Sequence, residues 1–286
     1  EKYQEDIINL IKKEIIDAEI LVSVVGFPID ANILSNAKKL KLIAHHAVGF
    51  DNIDLNVCKQ LGVFVSNTPG VLTESTAELT FALLLSVARR VVEADNYCRS
   101  GKFQGWAPTL FLGQELSEKT LGIFGMGRIG LAVAKRAQSF GMKVIFCKRS
   151  HFSSEFGQKV DFSTLIQKSD FISIHAPLTP QTYHRFTISE FEQMKPNCII
   201  INTARGPIIK EDDLFQALLD KKIAGAGLDV FEFEPDIFEP LKDLHQVVLL
   251  PHIGSAGYQT RLKMGELAIR NVQAFLANEP IPNRVL

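Results

Sequence analysis

The chain has 286 residues, of which 46% are hydrophobic and 22% are charged, and its formal net charge at pH 7 is -1. This length exceeds what a single hydrophobic core usually serves, so it predicts two domains of unequal size. The composition is typical of a globular protein, and the near-zero net charge gives no electrostatic basis for binding nucleic acid or an acidic membrane surface. A small diffusible substrate fits these properties better.

The four cysteines are widely spaced, at Cys58, Cys98, Cys147 and Cys198. Without a C-x-x-C pair or a histidine at metal-ligand spacing, they predict free, buried thiols in a reducing compartment and no metal site. No apolar run reaches the roughly 18 residues of a membrane span, and no secretory signal opens the chain, so we expect a cytoplasmic protein. Because the sequence begins at Glu1, we also expect N-terminal residues to be missing from it.

The first hundred residues alternate between helix and strand patterns. Helical periodicity at 7–15 and 32–40 alternates with strand-like apolar runs at 19–26, 41–49 and 62–67, which is typical of an α/β domain with a parallel sheet. Thr68-Pro69-Gly70 then interrupts the pattern, and one long helix is predicted from about Ser75 to Arg99.

Residues 101–118 predict an irregular loop, since glycines and a proline interrupt any periodicity. The only tryptophan of the chain, Trp106, lies in this loop. We interpret it either as a packed anchor of the loop or as a contact at a subunit interface or a pocket.

From Lys119 the alternation of strands and helices resumes. The strand candidates lie at 120–124, 142–147, 170–177, 198–206, 224–231 and 247–254. Near-continuous Val, Ile and Leu runs indicate strands covered on both faces, hence a doubly wound parallel sheet. A final helix at about 260–278 is predicted to return to the first domain. The predicted domains are therefore 1–70 completed by 258–286, and 71–257.

A glycine-rich turn with the sequence GMGRIG separates a predicted strand from a predicted helix. In this setting Gly125 permits a tight turn, Gly127 lets backbone amides approach a pyrophosphate, and Gly130 lets the helix pack on the strand. The helix N-terminus then presents unpaired N–H groups to the anion. A tight turn without a ligand is the alternative. The candidate cofactor-binding residues here are Gly125, Gly127, Arg128, Ile129 and Gly130.

The strand that follows ends in Cys147-Lys148-Arg149-Ser150, where an NAD-binding protein would carry an acidic residue for the ribose 2′-hydroxyl. Two cations and a hydroxyl suit a 2′-phosphate instead, because guanidinium pairs well with phosphate oxygens. We therefore predict that NADP is the preferred cofactor, with NAD possible. A solvated basic turn is the other interpretation.

Polar residues follow several of the predicted strands. They are His175, Thr203, Arg205, Asp229 and His252. One such residue is usually an ordinary capping or loop residue. Because parallel strands end on one edge of a sheet, five together predict a site beside the dinucleotide.

This set contains the groups that reduction of a keto acid needs. The planar donor fork of Arg205 can hold a carboxylate and its adjacent carbonyl, and His252 can supply a proton near neutral pH. Glu234 is available to orient the imidazole and to stabilise its protonated form. The sequence thus offers an anion clamp, an acid and an orienting carboxylate.

The segments TARG at 203–206, FEFEP at 231–235 and PHIGS at 251–255, together with GMGRIG, closely resemble the D-2-hydroxyacid dehydrogenase family. The resemblance also covers 47–54 and 68–85, and within the family it is greatest to glyoxylate and hydroxypyruvate reductases. It implies two doubly wound parallel-sheet domains, a Rossmann cofactor domain and a flavodoxin-like substrate domain, with a cleft between them. It also implies a homodimer whose interface includes the long helix.

The resemblance assigns roles to individual residues. Arg205 would bind the substrate carboxylate together with Val48 and Gly49, His252 would donate the proton, and Glu234 would pair with His252. Trp106 resembles an aromatic residue that some relatives insert into the partner's active site. The remaining candidate cofactor-binding residues are Thr76, Lys148, Arg149, Ser150, His175, Ala176, Pro177, Thr203, Ala204, Asp229, His252 and Gly254.

The leading hypothesis is NADPH-dependent reduction of glyoxylate or hydroxypyruvate to the D-2-hydroxy acid. The same reaction on a 2-keto sugar acid such as 2-ketogluconate, or on a branched keto acid, is an alternative because sequence does not size the substrate pocket. A different class is a non-catalytic, dinucleotide-sensing protein similar to the transcriptional corepressors on this fold. The full Arg, Glu and His set favours the enzyme.

Overall fold

A computed structural model describes residues 2–150 and 152–286, and the chain divides into two compact units. The first unit comprises Glu1–Leu72 and Ser255–Leu286, and the second comprises Thr73–Gly254. Both units are built from parallel sheets with helices, so the predicted α/β fold class is confirmed.

The first unit opens with alternating helices and strands. They are α1 (Lys2–Glu14), β1 (Ile20–Ser23), α2 (Ala31–Leu34), β2 (Leu42–His45), α3 (Leu55–Leu61) and β3 (Phe64–Ser66). The described strands of this unit form a parallel sheet in the order β1-β2-β3, and every residue of β2 is buried. The side chain of Asp54 accepts hydrogen bonds from the first amides of α3, and Gly62 ends that helix in a left-handed conformation, φ 69°.

The helix predicted at 32–40 is much shorter in the structure, where α2 ends at Leu34. Polar side chains explain the early end. Ser35 Oγ and Asn36 Nδ2 both donate to the carbonyl of Asn32, at 3.1 and 3.0 Å. Such side-chain bonds compete with the backbone pattern of a helix, and the chain continues here as turns.

The second unit contains the larger sheet. Its elements up to β7 are α4 (Thr73–Ala88), α5 (Val91–Arg99), β4 (Thr120–Phe124), α6 (Arg128–Ser139), β5 (Lys143–Cys147), β6 (Gln158–Lys159), α7 (Phe162–Lys168) and β7 (Phe171–Ile174). The elements after β7 are α8 (Ile188–Phe191), β8 (Ile199–Asn202), a 3-10 helix (Gly206–Ile208), α9 (Glu211–Leu219), β9 (Gly225–Leu228), a second 3-10 helix (Glu239–Asp243) and β10 (Val247–Leu249).

Among the described residues, seven strands form one parallel sheet in the order β10-β9-β8-β7-β4-β5-β6. The order reverses between β4 and β7, and ligands bind beyond the carboxyl ends of strands at such a switch point. Strands β7, β8 and β9 are buried at every residue, as their continuous apolar sequences predict. This topology places Gly125 and His175, which follow β4 and β7, beside each other.

The single helix predicted from Ser75 to Arg99 is wrong at its centre, because α4 ends at Ala88 and α5 begins at Val91. Arg90 adopts a left-handed conformation, φ 54°, and its guanidinium donates to both oxygens of Glu93 at 3.0 and 2.7 Å. The Ala88 carbonyl accepts instead from the amide of Gln114, at 2.7 Å. A loop that crosses the end of α4 therefore replaces the next helical turn.

The chain returns to the first unit through α10 (Tyr258–Leu276). The fully buried Asn271 of this helix donates to the carbonyl of Asn67 at 3.1 Å and accepts from the amide of Asn283 at 3.3 Å. Of the expected buried thiols, Cys58 and Cys198 are buried, whereas Cys98 is exposed because α5 buries none of its residues. No described helix combines the length and the hydropathy that a bilayer crossing requires.

Candidate active site

The glycine-rich turn follows β4, and each of its three glycines meets a different steric demand. Gly125 has φ +102°, and a Cβ there would lie 2.5 Å from the amide nitrogen of Ala176. A Cβ on Gly130 would overlap the carbonyl oxygen of Gly125. By contrast, a Cβ on Gly127 would enter open space. The turn therefore packs tightly on the protein side and leaves room beside Gly127, where α6 presents its first amides.

The basic residues after β5 lie in two different environments. Lys148 Nζ donates to the carbonyl of Met126 at 3.0 Å and lies 4.2 Å above the centre of the Phe152 ring. Arg149 and Ser150 are exposed. Lys148 thus stabilises the glycine-rich turn directly, whereas the side chain of Arg149 extends into solvent.

His175 follows β7 and lies close to Gly125. Its Nε2 is 2.8 Å from Ser173 Oγ, and desolvation lowers the pKa of His175 to about 3. The imidazole is therefore neutral near pH 7. In the next residues, the hydroxyl of Thr182 donates to the carbonyl of Pro177 at 2.7 Å and holds the turn that contains Ala176. A neutral His175 is unsuited to donate a proton at neutral pH.

The turn that carries Arg205 is held by the last residue of β8. Asn202 is buried, accepts from the amide of Ala204 at 3.0 Å and donates to the carbonyl of Arg205 at 2.8 Å. Arg205 Nη1 also donates to the carbonyl of Ala204, at 2.8 Å. Thr203 Oγ1 lies 3.0 Å from Thr80 Oγ1 on α4. Hydrogen bonds of the Asn202 and Arg205 side chains thus hold the backbone from Ala204 to Arg205.

Glu234 and His252 form a hydrogen-bonded pair in the second unit. His252 Nδ1 lies 2.8 Å from Glu234 Oε2, and each side chain is about 30% exposed. The other oxygen of Glu234 accepts from the amide of Phe231 at 2.9 Å. His252 has φ 53°, a conformation that is uncommon for a residue other than glycine. This backbone turn after β10 directs the imidazole toward Glu234 with part of the ring accessible.

Asp229 follows β9 and holds the loop that contains His252. It is buried, and its two oxygens accept from the amides of Ile253 and Gly254, each at 2.7 Å. Burial raises the pKa of this carboxyl, although the two amides and the nearby imidazole act in the opposite direction. A Cβ on Gly254 would lie 3.5 Å from Cγ2 of Thr76, which is buried at the start of α4.

The remaining candidate residues are Val48, Gly49 and Trp106. Val48 and Gly49 belong to the first unit, where Asn67 Nδ2 donates to the carbonyl of Val48 at 2.8 Å. Trp106 lies in the irregular segment after α5 and is 85% exposed. The interpretation of Trp106 as a packed loop anchor is therefore wrong.

Comparison with known proteins is consistent with this arrangement. The sequence profile described as "D-isomer specific 2-hydroxyacid dehydrogenase, NAD binding domain" matches residues 81–254. A glyoxylate reductase of Thermococcus litoralis is 50% identical over 285 residues, which cover 97% of this chain and 86% of the relative. The chain belongs to the D-isomer specific 2-hydroxyacid dehydrogenase family. It is accordingly an NAD(P)-dependent enzyme that reduces a 2-keto acid.

Solved structures of this dehydrogenase fold match nearly the whole chain. A protein of Thermus thermophilus has a TM-score of 0.92 and 43% identity, covering 96% of this chain and 88% of that protein. The NADPH-dependent glyoxylate/hydroxypyruvate reductase of Sinorhizobium meliloti, solved with NADP and malonate, has a TM-score of 0.90 and 30% identity, covering 97% and 87%.

Sequence reasoning missed residues that support the dehydrogenase site. Asn202 ends β8 and follows the same strand-end rule that selected Arg205, so the rule could have found it. Glu211 and Glu232 were also missed, and the side chain of each accepts a hydrogen bond from the backbone amide of the other. Glu232 lies two residues before Glu234 in FEFEP, but its sequence position does not reveal its partner on α9.

The depressed pKa of His175 predicts acid sensitivity of the fold. Above pH 6.5 the residue is neutral in both states, but as the pH falls toward 3 only the unfolded chain takes up the proton. Stability is therefore lost across this window, by roughly 1–2 kcal/mol between pH 7.5 and pH 5. The replacement His175→Gln should remove this part of the loss, as measured by urea unfolding at the two pH values.

The control is His245→Gln, because His245 is exposed and belongs to the same unit. This variant should keep the acid sensitivity of the unmodified protein. Equal sensitivity of all three proteins would contradict a neutral His175.

Proposed function

We propose that this dehydrogenase reduces glyoxylate or hydroxypyruvate to the 2-hydroxy acid with NADPH, and that His252 is its acid and base. The observation that carries the proposal is the His252–Glu234 pair at 2.8 Å, on a loop that Asp229 holds through two amides. The Thermococcus litoralis relative is named glyoxylate reductase, and the Sinorhizobium meliloti relative is named a glyoxylate/hydroxypyruvate reductase.

In the proposed reaction Arg205 binds the substrate carboxylate through its planar fork of donors. His252 gives its proton to the carbonyl oxygen, which gains negative charge as the carbon–oxygen double bond becomes a single bond. Glu234 stabilises the protonated imidazole and fixes the direction of the ring. The nicotinamide supplies the hydride when it is bound.

The dinucleotide fits the residues after β4, because the space beside Gly127 is open and the amides of α6 face it. Arg128, Ile129 and Gly130 would hold the pyrophosphate through those amides. Thr76, Thr203, Ala204, Asp229 and Gly254, together with the turn from His175 to Pro177, would line the nicotinamide side. His175 is suited to this role as a neutral group that does not repel a positively charged ring.

The role of His252 predicts a large effect of His252→Gln. Removal of a positioned acid typically lowers the rate by about 10²–10⁴-fold. We expect such a fall in kcat with glyoxylate and with hydroxypyruvate, while the dissociation constant of NADPH, followed by its fluorescence, stays within about twofold. Purified His245→Gln serves as the matched control and should retain the unmodified rate.

A near-normal rate of the His252 variant would overturn the acid assignment. Higher kcat/KM with 2-ketogluconate than with glyoxylate or hydroxypyruvate would overturn the substrate half of the proposal and support the sugar-acid alternative. Tight NADPH binding without turnover of any keto acid in the unmodified protein would contradict both the acid assignment and the proposed substrates.

The preference for NADP rests on the turn after β5. This turn carries no carboxylate that would repel a 2′-phosphate, and both Arg149 and Ser150 are exposed to receive it. Lys148 already bonds the Met126 carbonyl, so we assign it a supporting role in the glycine-rich turn. The Sinorhizobium meliloti relative, which is named NADPH-dependent and was solved with NADP, favours the same preference.

Two variants of adjacent cations distinguish these roles. Arg149→Ser should lower kcat/KM for NADPH by about 10–100-fold, which is the usual contribution of a charge-assisted hydrogen bond. The kcat/KM for NADH should not change. Lys148→Met should lower kcat/KM for NADPH and for NADH by similar factors, because both cofactors need the glycine-rich turn. The measurement is initial-rate kinetics with each cofactor, with Lys168→Met as the exposed-lysine control.

Better use of NADH than NADPH by the unmodified enzyme would refute the NADP preference. If Lys148→Met lowers kcat/KM for NADPH alone, and by as much as Arg149→Ser does, Lys148 contacts the 2′-phosphate directly.

We also propose that the enzyme is a homodimer and that Trp106 contacts the substrate site of the partner subunit. The support is a surface segment, from α5 to Leu112, in which exposed large apolar side chains are frequent: Val91, Val92, Phe103, Trp106, Leu110 and Leu112. Exposed apolar side chains that are concentrated in one region of a surface are typical of an interface.

The dimer proposal predicts that charges on this surface separate the subunits. The double variant Phe103→Glu/Leu112→Glu should lower the mass measured by light scattering from twice 31.8 kDa to 31.8 kDa. Leu219→Glu introduces a charge at an exposed leucine elsewhere and should leave the dimer intact. A monomeric unmodified enzyme would refute the proposal, and an unchanged keto acid KM in Trp106→Ala would refute the role of Trp106.

A further inference from the structure

Two carboxylates behind the site hold each other's backbone. The amide of Glu232 donates to Glu211 Oε1 at 2.8 Å, and the amide of Glu211 donates to Glu232 Oε2 at 3.2 Å. Glu211 begins α9, and Glu232 lies in the segment after β9. The reciprocal bonds therefore join the segment that follows Arg205 to the segment that precedes Glu234.

A histidine completes this group. His184 Nε2 lies 2.6 Å from Glu232 Oε1, and the amide of His184 donates to the carbonyl of Pro207 at 2.8 Å. The Glu232 side chain is only 8% exposed, and both of its oxygens are engaged. Pro207 belongs to the 3-10 helix directly after Arg205, so this histidine attaches Glu232 to the Arg205 turn a second time.

The peptide between Phe231 and Glu232 lies at the centre of these contacts. A Cβ on Gly206 would overlap the carbonyl of Phe231, so the backbone after Arg205 rests directly on this peptide. The N–H of this peptide donates to Glu211 Oε1, and the preceding amide, that of Phe231, donates to Glu234 Oε1. Movement of this one peptide would shift Arg205 and Glu234 together.

We propose that Glu232 is a positioning residue for the reaction, which with Glu211 and His184 holds Arg205 and Glu234 in register. The proposal rests on the proposed roles of Arg205, Glu234 and His252. Glu232 acts through these residues and meets neither substrate nor cofactor. We refer to Glu211, Glu232 and His184 as the carboxylate clamp.

The two acids of the clamp are not equivalent. Glu211 is 3% exposed, and its Oε2 has no hydrogen-bond partner among the described residues. Burial and the charge of Glu232 raise its pKa, although the backbone amides of Glu232 and Phe238 act in the opposite direction. Asp212 adds repulsion, and the neighbouring cation Lys210 pairs with Asp213 at 2.8 Å. Glu211 meets Glu232 through Oε1 alone, so a neutral amide can replace Glu211, whereas both oxygens of Glu232 are engaged.

The experiment compares Glu232→Gln, Glu211→Gln and Glu211→Ala, with Glu239→Gln as the control at an exposed carboxylate of the same unit. A glutamine at 232 keeps one accepting oxygen for the amide of Glu211, but its NH₂ group can pair with His184 only after the ring moves its hydrogen from Nε2 to Nδ1. We therefore expect kcat/KM for the keto acid to fall by roughly 10–100-fold, as small misplacements of reacting groups do. Glu211→Ala should show a similar loss. Glu211→Gln and the control should stay within about threefold of the unmodified enzyme.

Two further readouts separate positioning from general damage. In Glu232→Gln the KM for the keto acid should rise while NADPH binding stays within about twofold, because the glycine-rich turn lies outside the clamp. An unchanged KM for the keto acid together with weakened NADPH binding would overturn the proposal.

The outcomes also separate the clamp from the proposed function. An impaired His252→Gln with a normal Glu232→Gln overturns the clamp alone, whereas a normal His252→Gln overturns both. If Glu232→Gln does not fold, comparing the activities of Glu211→Gln and Glu211→Ala tests the clamp instead. A loss in Glu211→Ala that glutamine rescues supports the clamp, and equal activities of the two Glu211 variants refute it.

Discussion

Parallel strands end on the same edge of a sheet, and the site of the second unit depends on this constraint. Strands β4, β7, β8, β9 and β10 are adjacent in the sheet, and their registers are parallel throughout. The residue that leaves each strand therefore enters a shared region. The amides of Ile253 and Gly254, after β10, donate to Asp229 after β9, so these bonds are made across neighbouring strand ends. The bond from Asn202 to the carbonyl of Arg205 lies within the turn after β8. Without the parallel register of β9 and β10, Asp229 would not meet the His252 loop.

This constraint explains why so much of the site could be predicted. Apolar runs identify the strands, and the residues after them were selected without knowing any contact. His252 was selected in this way, whereas its pairing with Glu234 was expected from the resemblance to the family; His252 Nδ1 and Glu234 Oε2 lie 2.8 Å apart. The roles of the glycines follow equally from local rules, since a tight turn, a close helix and a bare backbone each require the missing side chain.

What could not be predicted depends on partners that are distant in sequence. The helix break at Arg90 requires the amide of Gln114, which takes the Ala88 carbonyl, and no local pattern reveals that crossing. Lys148 was grouped with Arg149 by charge, but Lys148 donates a hydrogen bond to the carbonyl of Met126 and therefore differs from Arg149 in its role. Glu211 and Glu232 look like surface acids, and only the approach of α9 to the segment after β9 buries them.

The bond between His252 Nδ1 and Glu234 has a consequence for the two directions of the reaction. A carboxylate can only accept there, so the neutral ring carries its hydrogen on Nδ1 and its lone pair on Nε2. In the proposed chemistry, the ring that has just given up a proton to the keto acid is already the tautomer that removes one from the hydroxy acid. The same arrangement then serves reduction and oxidation by microscopic reversibility, and the ratio of oxidised to reduced cofactor sets the net direction.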